Sequence, residues 1–204
     1  RIRGDEIAAY LGAKLNPKEG YDDDVCIHVK PKYLDRVKDG DWVDYLDGLN
    51  LHYWLKDNPN VNVIASSDSS YEFLKSNLTN KIVLIPSHHI NIERFRRERT
   101  EITTVGYIGS PSPIAFKEYE LIGERLKTIG LDFITCFNFK TREDAINLYK
   151  SIDIFLIGDL PKSDTHQKNP TKIINAASFG IPTIAHPVIG YKEIEGSYIH
   201  ASSL

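Results

Sequence analysis

Methionine, cysteine, net charge and long apolar runs are all scarce in this sequence. Methionine is absent and the chain opens on Arg1, so we expect a fragment, or a sequence from which residues are missing, whose ends are not natural termini. No apolar run approaches the roughly 18 residues that a membrane-spanning helix needs, and no signal peptide is recognisable. We therefore expect no transmembrane segment in these residues.

The low net charge and the two cysteines limit the partners and the cellular compartment that we expect. A net charge of −3 gives no general electrostatic footprint for nucleic acid, so no nucleic-acid partner is expected. Cys26 and Cys136 lie inside apolar runs, and we interpret them as small core residues rather than a disulfide. That usage fits a reducing compartment and predicts cytoplasmic localisation. No spacing of His, Cys and Asp matches a metal site, so no metal or cofactor is expected.

Short β-branched runs alternate along the chain with stretches of helical period. The runs are apolar almost throughout rather than at every second residue, which indicates parallel sheets covered on both faces. Strands are predicted over 24–29, 42–46, 61–65, 81–85, 103–108, 132–137, 152–157 and 181–185, and helices over 3–13, 69–76, 114–129, 142–151 and from 169 onward.

A basic, polar segment over residues 91–100 interrupts this alternation, and we interpret it as a linker. Two series of strands and helices joined by this linker predict an α/β protein of two doubly wound, Rossmann-like domains, 1–95 and 96–204, that face a cleft. The first domain is one strand short, because Gly4 opens a helix with no strand before it. Its first strand is expected upstream of Arg1.

The turn after the strand at 103–108 is the first candidate binding segment. In open α/β sheets, ligands bind beyond the carboxyl ends of strands, where loops lead into helices. Gly109 and Ser110 follow that strand with little side-chain bulk, so a backbone N–H could approach a phosphate closely. An ordinary turn made of turn-forming residues is the alternative interpretation.

The second candidate segment begins the helix at 169. Asn169 suits an N-cap, and Pro170 suits the first helical position, where a missing N–H costs nothing. The N–H groups of Thr171 and Lys172 would then face outward at the positive end of the helix dipole. A diphosphate would gain those donors and the ammonium of Lys172, with Lys168 nearby. The alternative is an ordinary capped helix with solvated lysines.

Three motifs in order resemble a known family. They are Ile-Val-Leu-Ile-Pro-Ser-His-His-Ile-Asn-Ile-Glu-Arg-Phe95, Thr-Val-Gly-Tyr-Ile-Gly-Ser-Pro, and Ile152-Asp-Ile-Phe-Leu followed by Asn169-Pro-Thr-Lys-Ile-Ile-Asn-Ala-Ala-Ser-Phe-Gly-Ile-Pro-Thr-Ile-Ala-His-Pro-Val. Together they resemble the two-Rossmann (GT-B) glycosyltransferases, in particular the retaining, group 1-like members. The resemblance covers about residues 61–195.

The resemblance implies an activity. It implies metal-independent transfer of a sugar from a nucleotide-activated donor to a saccharide or other hydroxyl acceptor, with retention of anomeric configuration. The donor-binding residues that it implies are Gly109, Ser110, Lys168, Thr171, Lys172 and Asn175. Many retaining members carry two glutamates around this helix, and the matching positions here are Gln167 and Asn175. Asn175 can still hydrogen-bond a ribose hydroxyl.

The first half offers acceptor-side and catalytic candidates. Asp44 and Asp47, at the end of a predicted strand, could face the cleft, and a similar aspartate pair occurs in some relatives. His28 lies inside a strand among apolar neighbours, which fits either a structural histidine or one that contacts a substrate. Arg3 is a further acceptor-side candidate.

Two other functions stay open. A non-catalytic module of the same fold, which binds a sugar nucleotide or a glycan without turnover, would fit Gln167 and Asn175. Another two-Rossmann enzyme, such as a sugar-nucleotide epimerase, would be expected to place carboxylates and histidines in the cleft.

Overall fold

The computed structural model describes residues 2–46, 51–87, 92, 94–109, 113–157 and 169–201. These residues form two α/β units, each with its own parallel sheet. The first unit holds the described residues before Ile92, together with Asn169 and Ile189–Glu193, and the second unit holds the others. The predicted fold class, α/β with two Rossmann-like units, is confirmed.

The first unit is built on a four-stranded sheet of order β1-β2-β3-β4, parallel throughout. Its elements are α1 (Ile2–Leu11), β1 (Ile27–Val29), a 3-10 turn (Leu34–Arg36), β2 (Trp42–Tyr45), α2 (Leu51–Asp57), β3 (Asn62–Ala65), α3 (Asp68–Asn77) and β4 (Ile82–Leu84). All four strands predicted in this half are present, each within three residues of its expected start.

The sequence pattern missed one helix of the first unit. Helix α2 has seven residues, and Leu51 and Leu55, four positions apart, are its buried residues. They pack into the core cluster with Val43, Val63 and Leu74 from the neighbouring strands and helix. A single apolar pair in so short a segment gives little periodicity, which is why the sequence did not predict it.

Helix α3 begins with a hydrogen-bonded serine cap. Ser67 is the N-cap, and its hydroxyl accepts the amide of Ser70 at 3.1 Å. The Ser70 hydroxyl accepts the Ser67 amide in return, at 3.1 Å, which completes a capping box. This reciprocal pair satisfies two of the amides that a helix start leaves without intrahelical partners.

The second unit has a five-stranded parallel sheet of order β6-β5-β7-β8-β9. Its elements are β5 (Thr104–Ile108), α4 (Pro113–Thr128), β6 (Asp132–Cys136), α5 (Arg142–Ser151), β7 (Ile154–Ile157), α6 (Thr171–Ser178), β8 (Thr183–Ala185) and β9 (Ile199–His200). A 3-10 turn at Ile189–Ile194 comes between β8 and β9 in the chain, and its residues up to Glu193 belong to the first unit. The two-residue strand β9 was not predicted.

Strand β5 is an interior strand of this sheet, between β6 and β7, and is buried at every position. Gly106 is required there by close packing, because a Cβ at this position would fall 2.4 Å from Cγ2 of Ile152. Ile152 itself has no exposed surface. The glycine therefore lets the residue before β7 pack directly on the backbone of β5.

Residues 94–100, predicted as a linker, make specific contacts with the second unit. The Phe95 amide donates to the Ser178 carbonyl at 2.8 Å, and its ring lies 5.8 Å from that of Phe179. The Arg97 guanidinium donates to a carboxylate oxygen of Asp153 at 2.6 Å, and Asp153 is fully buried. The segment contains no helix or strand, as expected, but it is anchored to the sheet rather than free.

Helix α6 ends in a hydrogen-bonded motif, and it does not begin at the predicted residue. The Gly180 amide donates to the Ala177 carbonyl at 2.9 Å, and the Ile181 amide donates to the Ala176 carbonyl at 3.1 Å. This pair is a Schellman motif, and Gly180 has the positive φ of 66° that the motif needs. At the start, Pro170 rather than Asn169 is the N-cap, without a side-chain hydrogen bond, so the prediction of Asn169 as cap was wrong.

Both cysteines are free thiols, as expected, but both are half-buried and neither belongs to a core. In the part of the chain that the structure describes, no helix combines the length and the apolar character that a membrane crossing requires.

Candidate functional site

The strand order of the second unit marks one edge of its sheet as a binding position. After β5, the first strand of this sheet in the chain, β6 is added on one side, and the chain then returns to add β7, β8 and β9 on the other. The direction of winding therefore reverses at β5. In open α/β sheets, the loops at such a reversal diverge and leave a crevice beyond the carboxyl ends of the strands. Here those strand ends belong to β5 and β7, and they are followed by Gly109 and by residues 158 onward.

Gly109 is needed at this edge because an aromatic ring folds back over the backbone. A Cβ at this position would fall 2.1 Å from the hydroxyl of Tyr107. The Gly109 amide donates to the Cys136 carbonyl at 3.2 Å, so this N–H already has a partner at the end of β6. Gly109 therefore shapes the edge by giving Tyr107 room. The predicted contact of this turn with phosphate stays a prediction.

Tyr107 links the sheet edge to helix α6. Its ring is stacked on that of Tyr119 in α4, with centroids 4.2 Å apart, and only 3% of the residue is exposed. The Lys172 ammonium lies 4.9 Å from the centre of the Tyr107 ring and 3.5 Å from its hydroxyl. A cation over an aromatic face gains about 0.5–2 kcal/mol, so the buried ring orients the half-buried lysine.

The amino end of α6 adds a second source of positive potential beside Lys172. The helix begins at Thr171, and its first intrahelical bond runs from the Ile174 amide to the Pro170 carbonyl at 3.0 Å. The amides before Ile174 therefore have no carbonyl to bond inside the helix. The helix dipole contributes about half a positive charge at this end. Together with the Lys172 ammonium, this arrangement suits an anion.

Asn175, the predicted ribose ligand, is engaged with a buried side chain. Its side chain hydrogen-bonds the hydroxyl of Tyr149, which is only 3% exposed. Burial raises the pKa of Tyr149 well above its ordinary value, and the bond from Asn175 opposes this only in part. The Tyr149 ring also stacks on Phe179, with centroids 5.4 Å apart. A ribose hydroxyl would therefore share Asn175 with Tyr149.

The remaining predicted residues of this site lie outside the described ranges. They are Ser110, Gln167 and Lys168, and with them Asp47 of the first half. The backbone of Arg3 lies within α1.

The two described candidates of the first unit have different surroundings. Asp44 lies in β2 with no exposed surface, so its predicted role requires that carboxylate to become accessible. His28 lies in β1, and its Nε2 is 2.9 Å from a carboxylate oxygen of Asp41. Asp41 also accepts the amides of Cys26 at 2.9 Å and Lys38 at 3.0 Å. Although burial opposes the charge, these hydrogen bonds hold the pKa of the Asp41 carboxyl below its usual value.

Sequence reasoning missed three residues that organise these regions: Tyr107, Tyr149 and Asp41. Tyr107 lies between two glycines in Val-Gly-Tyr-Ile-Gly, and that small-large-small pattern was a usable signal for an aromatic side chain packed over the backbone. Asp41 was not recognisable, because its partners Cys26 and His28 come from the strand before.

Comparisons with known proteins support the fold. No protein-family model matches the chain, and no curated protein matches it. Among solved structures, one match is described as "Crystal structure of accessory secretory protein 1,2 and 3 in Streptococcus pneumoniae", with a TM-score of 0.54 and 15% sequence identity. The match covers 98% of this chain and 48% of that one, so this chain spans about half its length. At this identity the likeness is one of fold.

Proposed function

We propose that the second unit binds a nucleoside-diphosphate sugar at the carboxyl edge of β5 and β7, and that the protein transfers the sugar to a hydroxyl acceptor. The observation that carries this proposal is the position of the Lys172 ammonium, 3.5 Å from the Tyr107 hydroxyl, where the strand order reverses. Geometry supports the binding of an anion there. The resemblance to GT-B glycosyltransferases supplies the sugar and the transfer.

The proposed site would assist departure of the nucleoside diphosphate. When the glycosidic bond to the donor phosphate breaks, negative charge grows on the leaving oxygen. The Lys172 ammonium and the dipole of α6 would stabilise that charge, and both are already oriented before the reaction. Thr171 and Lys168 are proposed as further donors, with the turn at Gly109 and Ser110 on the other side of the phosphates. Asn175 is proposed to hold the ribose.

A second candidate function is binding without transfer. Many retaining relatives carry glutamates at the two positions that match Asn175 and Gln167. Here the side-chain amide of Asn175 hydrogen-bonds Tyr149, and Gln167 carries no charge. The solved structure of similar fold is described as an accessory secretory protein, not as a transferase. A module that holds a sugar nucleotide or a glycan would need no carboxylate at either position.

One experiment separates the two candidates. Uridine, guanosine, adenosine, cytidine and thymidine diphosphates are titrated first, and the sugar derivatives of the tightest binder are then incubated with a panel of saccharide acceptors. Transfer predicts release of the nucleoside diphosphate that depends on the acceptor and falls at least about 10-fold in Lys172→Ala, since a hydrogen bond to a charged group contributes about 1.5–3 kcal/mol. Tight binding with no release would support the non-catalytic module, and failure of all the diphosphates to bind would refute sugar transfer and sugar-nucleotide binding alike.

A further inference from the structure

Three side chains that can ligate a metal converge at the start of β1 and β2. Cys26 and His28 are two positions apart, so both project to the same side of the β1 segment. Asp41 immediately precedes β2, and the Trp42 amide donates to the Cys26 carbonyl at 2.8 Å, which brings it alongside. The thiol, the imidazole nitrogen and the carboxylate offer ligand atoms that all lie within 4.8 Å of one another.

Local structure accounts for only part of this arrangement. Asp41 accepts the amides of Cys26 and Lys38, so one of its roles is to hold the turn before β2. His28 then hydrogen-bonds the same carboxylate at 2.9 Å. The Cys26 thiol has no such part in the turn, and it lies 3.9 Å from the Asp24 carbonyl oxygen. A small apolar residue would serve the turn equally well.

The charges around the cluster favour a cation. Burial, and then the carboxylates of Asp41 and Asp24, raise the pKa of the Cys26 thiol. The same negative field that keeps the thiol protonated would attract a positive ion, which would reverse the effect and stabilise the thiolate. Lys38 opposes that field, but its ammonium is paired with the Asp22 carboxylate at 3.2 Å.

The donor set matches zinc. Sulfur, imidazole nitrogen and carboxylate oxygen together suit a borderline-soft ion, and Zn²⁺ takes all three in tetrahedral sites. Zinc bonds of about 2.0–2.1 Å to nitrogen and oxygen place those two atoms about 3.3 Å apart in a tetrahedron. The observed separation of 2.9 Å between His28 and Asp41 therefore has to open by only a few tenths of an ångström.

We propose that Cys26, His28 and Asp41 form a zinc site in the first unit, with water as the fourth ligand. The ion takes the place of the hydrogen bond between His28 and Asp41. Zinc binding requires Nε2 of His28 to lose the proton that it donates to Asp41, so that neutral His28 ligates through Nε2 and carries its proton on Nδ1. The Cys26 thiol releases its proton to solvent. The other oxygen of Asp41 keeps the bond from the Cys26 amide. This site is independent of the nucleotide site proposed above.

Zinc binding is tested on the reduced, chelator-treated chain. Zn²⁺ is titrated in competition with a coloured chelator, and Co²⁺ serves as a spectroscopic probe of a thiolate ligand. We expect one ion per chain and a thiolate-to-cobalt charge-transfer band. Cys26→Ser and His28→Gln should each weaken binding about 100-fold or more, and Cys26→Ser should abolish the band. Cys136→Ser, which removes the chain's other thiol, should change neither.

A measurement on the chain without substitutions does not depend on whether the variants fold. Cys26 and Cys136 are alkylated with iodoacetamide, with and without Zn²⁺, and the modified peptides are quantified by mass spectrometry. Zinc should slow alkylation of Cys26 at least about 10-fold and leave Cys136 unchanged. Equal rates at Cys26 with and without zinc, or zinc binding as tight in Cys26→Ser as in the parent chain, would overturn the proposal.

Discussion

Lys172 and Tyr107 are held together across the second unit, with the ammonium 4.9 Å from the centre of the ring. The contact joins the first turn of α6 to the carboxyl end of β5, the strand at which the sheet changes its direction of winding. An aromatic face orients an ammonium group without neutralising its charge. The lysine is therefore positioned in advance for an anion at this edge, and the nucleotide proposal depends on this relationship.

The contact between Gly106 and Ile152 predicts a strongly coupled pair of substitutions. Gly106→Ala should lower the free energy of unfolding by about 1–3 kcal/mol, because the new methyl group would meet Ile152 Cγ2 at 2.4 Å. Ile152→Ala should cost about 2–5 kcal/mol through the cavity that it leaves. Urea unfolding of the two single variants and the double variant measures the coupling.

In the double variant the alanine methyl at 106 would occupy space that Ile152→Ala vacates. The double variant should therefore lose less free energy of unfolding than the two single variants lose together, by at least about 1 kcal/mol. Costs that simply add would show that the Cβ clash is not what requires glycine at position 106.

The pair between Arg97 and Asp153 predicts a dependence of stability on pH. Although burial opposes the charge, hydrogen bonds from Thr103 and Thr104 and the Arg97 guanidinium hold the pKa of the Asp153 carboxyl below its usual 3.8. A carboxyl whose pKa is lower in the folded state stabilises the protein fully above the unfolded pKa, and this contribution is lost as the pH falls through the folded pKa.

Asp153→Asn should therefore cost about 3–5 kcal/mol at neutral pH, because it removes the buried charge that pairs with Arg97 and replaces an oxygen that accepts hydrogen bonds with an NH2 group. The difference between the parent chain and the variant should shrink below about pH 4, as the parent loses the charge. Urea unfolding at a series of pH values measures both. A difference that stays constant from pH 7 to pH 3 would refute the assigned role of the ionised carboxylate.

The bond between Asn175 and Tyr149 predicts how the ribose would be recognised. If Asn175 holds a ribose hydroxyl, Asn175→Ala should weaken the binding of nucleoside diphosphates about 2- to 12-fold, since a hydrogen bond contributes about 0.5–1.5 kcal/mol. The affinity for inorganic pyrophosphate, which has no ribose, should be unchanged. Tyr149→Phe, which removes only the competing hydroxyl, is the matched control and should not weaken the nucleotide. Equal losses for both ligands would assign Asn175 a purely structural role.

The alternation of apolar runs and helical stretches predicted most of the fold. All the predicted strands form, because apolar runs such as β7 (Ile154–Ile157) fit a parallel sheet that is covered on both faces. Helix α2 and strand β9 were missed, since seven residues and two residues carry too little periodicity to recognise. The start of α6 was displaced by one residue because Pro170, although well suited to the first turn, acts as the cap itself.

The candidate sites were less predictable, because they depend on contacts between residues far apart in the chain. Lys172 was predicted from its place in a helix start, but its partner Tyr107 is 65 residues away. The cluster around Asp41 shows the same limit: Cys26 and His28 are close in sequence, and their third partner comes from the next strand. Parallel strands bring such residues together through crossover connections, and sequence spacing does not show which ones meet.

The most direct test of the nucleotide proposal compares two lysines of the second unit by calorimetric titration of the tightest-binding nucleoside diphosphate. Both lie over aromatic rings: Lys172 is 4.9 Å from the Tyr107 centroid at the carboxyl edge of the sheet, and Lys150 is 5.4 Å from the Phe95 centroid, in the last turn of α5. Lys172→Ala should weaken the nucleotide at least about 10-fold, and Lys150→Ala should leave it unchanged. Equal affinities for Lys172→Ala and the parent chain would contradict the account.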